Sequence, residues 1–276
     1  MKNILIPTDF SSFSKSALRL GAYVASKTDA TVHILNIFQA SEDWNRLSAQ
    51  QQQRFPEIEG RMVDADLKLA RLAKDPMFTG LDVKTIALGG SPYRMIVDYA
   101  EKNKIDLIVM GAHGMSELEG PFIGSTAQKV VRIAPCLVLS VKKNFKPTSL
   151  KKIVFASNFA ESNLSKAFKS IRNFALAIGA KVDFVHINTP YNFHDTDTAE
   201  KSMRDFAAPH RDLKPSFFIQ NDYTTEAGIV NISKRIKANM VALATHNRKG
   251  RSNYLLGVTE TVLLHADVPV LSQAIL

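Results

Sequence analysis

The sequence predicts an α/β protein made of two similar domains in tandem. Short apolar runs of strand length alternate with segments of helical periodicity, which is typical of a doubly wound sheet. The alternation begins again at Lys152, where KIVFASNF repeats the character of the opening segment KNILIPTDF. A chain of 276 residues has room for two domains of this kind.

Five strands are predicted in the first half, at residues 2–8, 31–38, 83–88, 107–110 and 136–141. Their apolar residues are consecutive, which indicates strands that are covered on both faces, as in a parallel sheet. The first strand is followed by a helix that Ser11, Ser12 or Ser14 can cap. Residues 41–74 are mostly polar, and we expect a mobile loop there, followed by a helix.

The second half repeats this order in a shorter form, with strand patterns at residues 182–187, 216–220 and 240–244. Between the halves, residues 144–151 contain a proline and show no apolar periodicity, so they are predicted to be a linker. The predicted domains are therefore residues 1–143 and 151–276.

Composition restricts the classes of partner. The net charge of +9 suggests an anionic partner, but the basic residues are spread along the chain without interleaved aromatic residues, so no nucleic-acid partner is expected. No apolar run is long enough to span a membrane, and no signal-peptide pattern opens the sequence. The single cysteine, Cys136, excludes an intramolecular disulfide. We expect a cytoplasmic protein without a membrane partner.

A glycine-containing loop at residues 111–126 carries the clearest functional signal. It reads GAHGMSELEGPFIGST and lies between a buried strand and the start of a helix. Gly114 allows close approach of the backbone to a ligand, and Gly124 removes a side chain just before the hydroxyl groups of Ser125 and Thr126. Helix starts of this kind bind phosphate through backbone N–H groups. A structural turn with an N-cap has the same features, so the residues alone leave both interpretations open.

The spacing GxxG, nine residues, GS that begins at Gly111 resembles the nucleotide-binding motif of the universal stress protein family. The PTD segment at residues 7–9 resembles the adenine-side loop of that family. Residues 132–139, RIAPCLVL, resemble its last helix and strand. The resemblance extends over the whole chain as two tandem domains.

The resemblance implies that each domain is a Rossmann-like, five-stranded parallel sheet of the adenine nucleotide α-hydrolase-like type, with helices on both faces. It also implies that ATP or a related adenine nucleotide, with or without Mg²⁺, binds between strands 1 and 4. The site residues that it implies are Pro7, Asp9, Ile37, Met110, Gly111, Gly114, Gly124, Ser125 and Thr126. Asp9 and the backbone near Ile37 would hold adenine or ribose. Met110 and Gly111 would face the ribose, and the remaining glycines and hydroxyl groups would hold the phosphates.

Two features depart from the family pattern. Glu117 and Glu119 lie within the phosphate loop, where carboxylates repel a triphosphate unless a cation bridges them or they point to solvent. The second copy keeps Gly257 but replaces four motif positions: Ala244 for Gly111, Asn247 for Gly114, Val258 for Ser125 and Asn158 for Asp9. We therefore expect that the second domain does not bind nucleotide in the same way.

No catalytic or metal site is expected. The sequence has neither a Walker-type Gly-Lys-Ser/Thr nor a GxGxxG that opens the first helix. The matching histidines His113 and His246 suit structural hydrogen bonds, and the residues at 191–197 suit a polar loop better than a metal site. We expect an ATP-binding stress-response protein with slow hydrolysis at most, whose second domain is structural or regulatory.

Two other functions remain open at this point. One is an interaction or scaffold protein of the same fold that binds no nucleotide, and the other is an enzyme of the related α-hydrolase-like superfamily. For the assembly, residues 135–141 and 269–271 can pair within one chain to form a pseudo-dimer of the two domains, and two such chains can form a homodimer.

Overall fold

The computed structural model describes residues 1–41, 44–112, 123–147, 150–160, 163–246 and 256–275. In the first half the strands are β1 (Asn3–Pro7), β2 (Thr31–Phe38), β3 (Val83–Gly89), β4 (Leu107–Gly111) and β5 (Leu137–Val141). The helices of this half are α1 (Ser12–Thr28), α2 (Ala49–Gln52), α3 (Pro56–Leu72), α4 (Pro92–Lys102) and α5 (Ser125–Ile133).

The second half repeats this succession without a counterpart of α2. Its strands are β6 (Lys152–Ala156), β7 (Lys181–Asn188), β8 (Phe217–Asn221), β9 (Met240–His246) and β10 (Val270–Ile275). Its helices are α6 (Leu164–Ala177), α7 (Thr196–Ala207), α8 (Thr225–Arg235) and α9 (Val258–His265). The predicted α/β class, with two tandem Rossmann-like halves, is confirmed, and the strands predicted from apolar runs agree with the observed ones to within two residues.

The strands form one ten-stranded sheet in the order β3-β2-β1-β4-β5-β10-β9-β6-β7-β8. Within each half all pairs are parallel, and the direction of winding reverses between β1 and β4 and again between β6 and β9. The halves meet where β5 pairs antiparallel with β10, with Leu139 opposite Leu271. Because of this antiparallel contact, the carboxyl ends of the strands lie on opposite edges of the sheet in the two halves.

Each face of the sheet has its own apolar core, and each core extends across both halves. One core contains Leu20 of α1 and Phe168 of α6, and the other contains Val130 of α5 and Val262 of α9. A sheet covered on both faces explains why its strands are consecutive apolar runs in the sequence. The helices that follow β4 and β9, α5 and α9, therefore lie on the same face.

The segment predicted as a mobile loop has a defined structure where it is described. Trp44 opens a 3-10 turn and is 1% exposed, with its ring edge-on to Phe38 at 6.2 Å. The Asn45 side chain donates to the Gly89 carbonyl oxygen at 2.7 Å and accepts from the Gly89 N–H at 2.9 Å. An added Cβ on Gly89 would lie 2.7 Å from Trp44, so β3 ends in a glycine to make room for the indole. The expectation of a loop was wrong because this contact between distant residues orders the segment.

Truncation of this indole should be costly. Trp44→Ala is expected to lower the free energy of unfolding by about 3–5 kcal/mol, because it empties a closed site under α3. Chemical denaturation followed by far-UV circular dichroism measures the change. Tyr191→Ala, at a fully exposed ring, is the control and should change stability by less than about 0.5 kcal/mol. A loss below about 1 kcal/mol for Trp44→Ala would show that the segment is not anchored by this side chain.

Candidate functional site

A cleft opens at the carboxyl ends of β1 and β4, where the winding reverses. Crevices at such points are the usual ligand sites of open α/β sheets. Its volume is about 320 Å³, which lies at the lower end of the range for small-molecule sites. Its walls come from the β1–α1 loop, the ends of β2 and β4, and the first turns of α4 and α5.

The loop after β1 is fixed by its own hydrogen bonds. The Phe10 N–H donates to Thr8 Oγ1 at 3.1 Å, and the Thr8 hydroxyl donates to Ser14 Oγ at 3.1 Å. Asp9 Oδ1 accepts from the Ser11 N–H at 3.0 Å. These bonds support the left-handed backbone of Phe10, whose φ is 63°. The loop therefore holds the Asp9 carboxylate at the cleft with one oxygen engaged in the turn.

Part of the cleft lining is apolar. Ile37 at the end of β2, Met110 at the end of β4 and Ile96 of α4 line it. Asn36 ties the strand ends together, because its Nδ2 donates to the Thr8 carbonyl oxygen at 2.7 Å. Such a wall suits the flat apolar face of an aromatic base.

Helix α5 begins at the cleft, and no side chain of the described residues caps its N-terminus. Its N-cap is Gly124, which has no side chain to cap the helix, and its first turn carries no acidic residue. The first amide N–H groups of an α-helix have no intrahelical acceptor and carry the positive end of the helix dipole. Ser125 and Thr126 were predicted as possible caps, but they occupy the first helical positions and line the cleft. This end of the cleft is therefore suited to an anion.

The structure brings most of the predicted site residues together. The cleft is lined by Pro7, Asp9, Ile37, Met110, Gly111, Gly124, Ser125 and Thr126. Gly114 lies outside the described residues, as do His113, Glu117 and Glu119. That these residues bind a nucleotide stays a prediction.

Sequence reasoning missed five residues of the lining: Thr8, Ser14, Pro92, Ile96 and Ala127. The sequence offered one signal for Pro92. It starts the helix that follows β3, and the helices that follow parallel strands begin at the same edge of the sheet. Asp9 is the only charged residue that lines the cleft among the residues that the structure describes.

The second half retains the loop geometry of the first. Ser157 Oγ accepts from the Phe159 N–H at 3.3 Å, and Asn158 Oδ1 accepts from the Ala160 N–H at 3.3 Å. Phe159 has a φ of 58°, close to that of its counterpart Phe10. The turn is therefore a property of the fold, and a carboxylate at this position is not needed to form it.

The helix start of the second half differs in one decisive way. Glu260 stands in the first turn of α9, at the position equivalent to Ala127, and its side chain is 4% exposed. Its Oε1 accepts from Arg132 Nε at 2.5 Å. Its Oε2 folds back over the N-cap, where an added Cβ on Gly257 would lie only 2.6 Å from it. A carboxylate of the protein itself thus lies against the helix N-terminus that is open in the first half.

The remaining candidates for chemistry have structural surroundings. Burial lowers the pKa of His186, whose Nε2 is paired with Asn188 Oδ1 at 3.1 Å. Burial raises the pKa of the Cys136 thiol to about 12, which makes it a poor nucleophile. Within the described ranges, no group of three or more His, Cys, Asp or Glu side chains is placed to hold a metal ion. The backbone of His246 belongs to β9.

Comparison with known proteins agrees with the fold. A model of the universal stress protein family matches residues 1–142 and again residues 149–272. The chain belongs to the universal stress protein family. The universal stress protein MJ0531 of Methanocaldococcus jannaschii is 35% identical over 150 residues, which cover 51% of this chain and 82% of that protein.

Solved universal stress proteins have the same fold. The structure of one from Archaeoglobus fulgidus covers 99% of this chain and 98% of its own, with a TM-score of 0.76 and 17% identity. Solved members also include a universal stress protein in complex with cAMP, which covers 52% of this chain and 98% of its own, with 22% identity and a TM-score of 0.38. Among the described residues, no helix is long and apolar enough to cross a membrane.

The pair formed by Arg132 and Glu260 leads to a stability prediction. Arg132→Ala should lower the free energy of unfolding by about 3 kcal/mol, because it leaves a buried carboxylate without its cation. The double variant Arg132→Ala/Glu260→Ala should recover part of that loss, since no unpaired charge remains. Urea denaturation of these two variants and of Glu260→Ala decides the matter. Strictly additive losses in the double variant would contradict a coupled buried pair.

Proposed function

We propose that this universal stress protein binds ATP or a related adenine nucleotide in the cleft of its first half and acts in the stress response. One observation carries the proposal. The residues that the motif selects from distant parts of the sequence surround a single cleft, whose anion-binding end is an uncapped helix N-terminus. A structural turn alone would not require these residues to converge.

The adenosine part of the ligand would lie against the apolar part of the lining. Ile37, Ile96 and Met110 would contact the base, and the backbone of Gly111 would allow the ribose to approach. Asp9 uses Oδ1 in its own turn, so Oδ2 is the carboxylate oxygen that can accept from a ribose hydroxyl or a base amine.

The phosphates would lie against the first turn of α5. No lysine or arginine lines the cleft among the described residues, so the binding energy would come from amide N–H groups and the helix dipole. The hydroxyl groups of Ser125 and Thr126 add donors for phosphate oxygens. A Mg²⁺ ion bound with the nucleotide would offset the remaining negative charge of the phosphates.

The lining does not favour rapid hydrolysis. Among its described residues, Asp9 is the only group that could act as a general base, and one of its oxygens already holds the turn. We therefore propose binding with slow turnover at most, in a cytoplasmic protein. The second half would have a structural or regulatory role, because Glu260 already supplies an anion at its helix start.

A scaffold function without nucleotide is the competing proposal. The Glu260 carboxylate beside the helix start of the second half favours it, since the protein itself places an anion there. If the first half behaved in the same way, a purified and nucleotide-free protein would bind no ATP.

The matched variants Ala127→Glu and Ala127→Gln separate the two functions. Ala127→Glu places a carboxylate at the position that Glu260 has in the second half. It should weaken Mg-ATP binding at least tenfold, because this carboxylate would repel the phosphates. Ala127→Gln has nearly the same size without the charge and should bind much more tightly than Ala127→Glu. Isothermal titration calorimetry on nucleotide-free protein measures both affinities.

Two results would count against the proposal. The absence of binding heat for the unmodified protein would favour the scaffold function. Equal affinities of the Glu and Gln variants would mean that phosphate does not lie at the start of α5.

A further inference from the structure

Helix α3 has an inner and an outer face, and both carry apolar residues. The inner face packs on β2 and β3 through the buried side chains of Ala65 and Leu69. The outer face carries Val63 and Leu67, which are 48% and 56% exposed. Together with Gly60 and Ala70 they form an exposed stripe with spacings of three, four and three residues. We call this stripe the α3 seam; its spacing is that of a helix that packs along another helix.

The composition of the α3 seam is unexplained by the single chain. Gly60 lies inside the helix with ordinary helical backbone, and an added Cβ would meet no atom within 4 Å. Alanine there would favour the helix by about 0.5–1 kcal/mol, so the isolated chain gains nothing from glycine. Val63 is also a poor helix former, and it is left half exposed. A small residue beside exposed aliphatic ones suits the close approach of a second helix.

The charges of α3 favour another copy of the same helix as that partner. The N-terminal half carries Glu57, Glu59 and Asp64 against Arg61, whereas the C-terminal half and the residues just after it carry Lys68, Arg71 and Lys74 against Asp66 and Asp75. An antiparallel arrangement brings the acidic end of one helix against the basic end of the other, and it also opposes the two helix dipoles. A parallel arrangement would bring like charges together.

We propose that the α3 seam is a self-complementary surface through which two copies of this chain associate. A two-fold axis across the middle of the helix places Val63 opposite Leu67 of the second copy and Gly60 opposite Ala70. Such an isologous contact uses the same surface on both copies. It lies apart from the residues that line the nucleotide cleft, so it goes beyond the proposed function and does not depend on it.

The size of the seam predicts a weak dimer. A helix of 17 residues is about 25 Å long, and its contact with an identical helix is small compared with a permanent interface. Association should therefore depend on concentration. It should also weaken as salt rises, because exposed charge pairs at the two ends are screened.

Sedimentation velocity between about 1 and 500 µM tests the proposal. The unmodified chain should pass from monomer to dimer in this range, and Leu67→Glu should raise the midpoint concentration at least tenfold. Phe193→Glu is the control, since it places a charge on an exposed aromatic residue far along the chain and should leave the midpoint unchanged. The two substituted side chains are exposed, so circular dichroism should show both variants folded.

Cross-linking tests the antiparallel register. A mixture of the Val63→Cys and Leu67→Cys variants should form disulfide-linked dimers more readily than either variant alone, because the register places position 63 opposite position 67. The partly buried native thiol of Cys136, whose pKa is raised to about 12, should not compete. A monomer at every concentration, a dimer insensitive to Leu67→Glu, or preferential cross-linking of like variants would each overturn the proposal.

Discussion

The first amide N–H groups of the helix that follows the fourth strand in each half must find hydrogen-bond acceptors outside that helix. This constraint follows from helix geometry, since the first amide N–H groups have no acceptor within the helix. In the second half the Glu260 carboxylate, which Arg132 holds, lies beside this helix start. In the first half the equivalent residue is Ala127, and the helix start opens into a cleft. The two halves thus differ in whether the protein itself places a carboxylate beside this helix start.

The continuous ten-stranded sheet brings helices α5 and α9 close to each other. Because β5 and β10 pair antiparallel, α5 and α9 lie on the same face, and Arg132 of one reaches Glu260 of the other. The turns that contain Phe10 and Phe159 have the same left-handed backbone in both halves, so this backbone is a requirement of the fold. Both turns form with the same hydrogen bonds, although one contains Asp9 and the other Asn158. The turn therefore does not require an aspartate, so the carboxylate of Asp9 is available for binding a ligand.

The sequence predicted the strands well because each is a consecutive apolar run, such as the one at β4, and burial on both faces leaves few alternatives. It predicted the cleft residues through the resemblance to the family motif, and all of them except Gly114, which lies outside the described residues, line the cleft. It failed at Trp44, whose burial depends on Gly89, a residue far away in the chain. It also failed to assign a role to Glu260. The loss of a motif glycine can be read from the sequence, but the contact of Glu260 with Arg132 and with the start of α9 is seen only in the structure.

The number of nucleotides bound by each chain tests this account most directly. Native mass spectrometry of the protein with a near-saturating concentration of Mg-ATP counts the nucleotides bound to each chain. The count can be made for both the monomer and the dimer. The account predicts one nucleotide per chain, because one helix start is open and the other is filled by Glu260. Two nucleotides per chain would show that Glu260 does not close the second half, and none would show that the open helix start of the first half does not bind nucleotide.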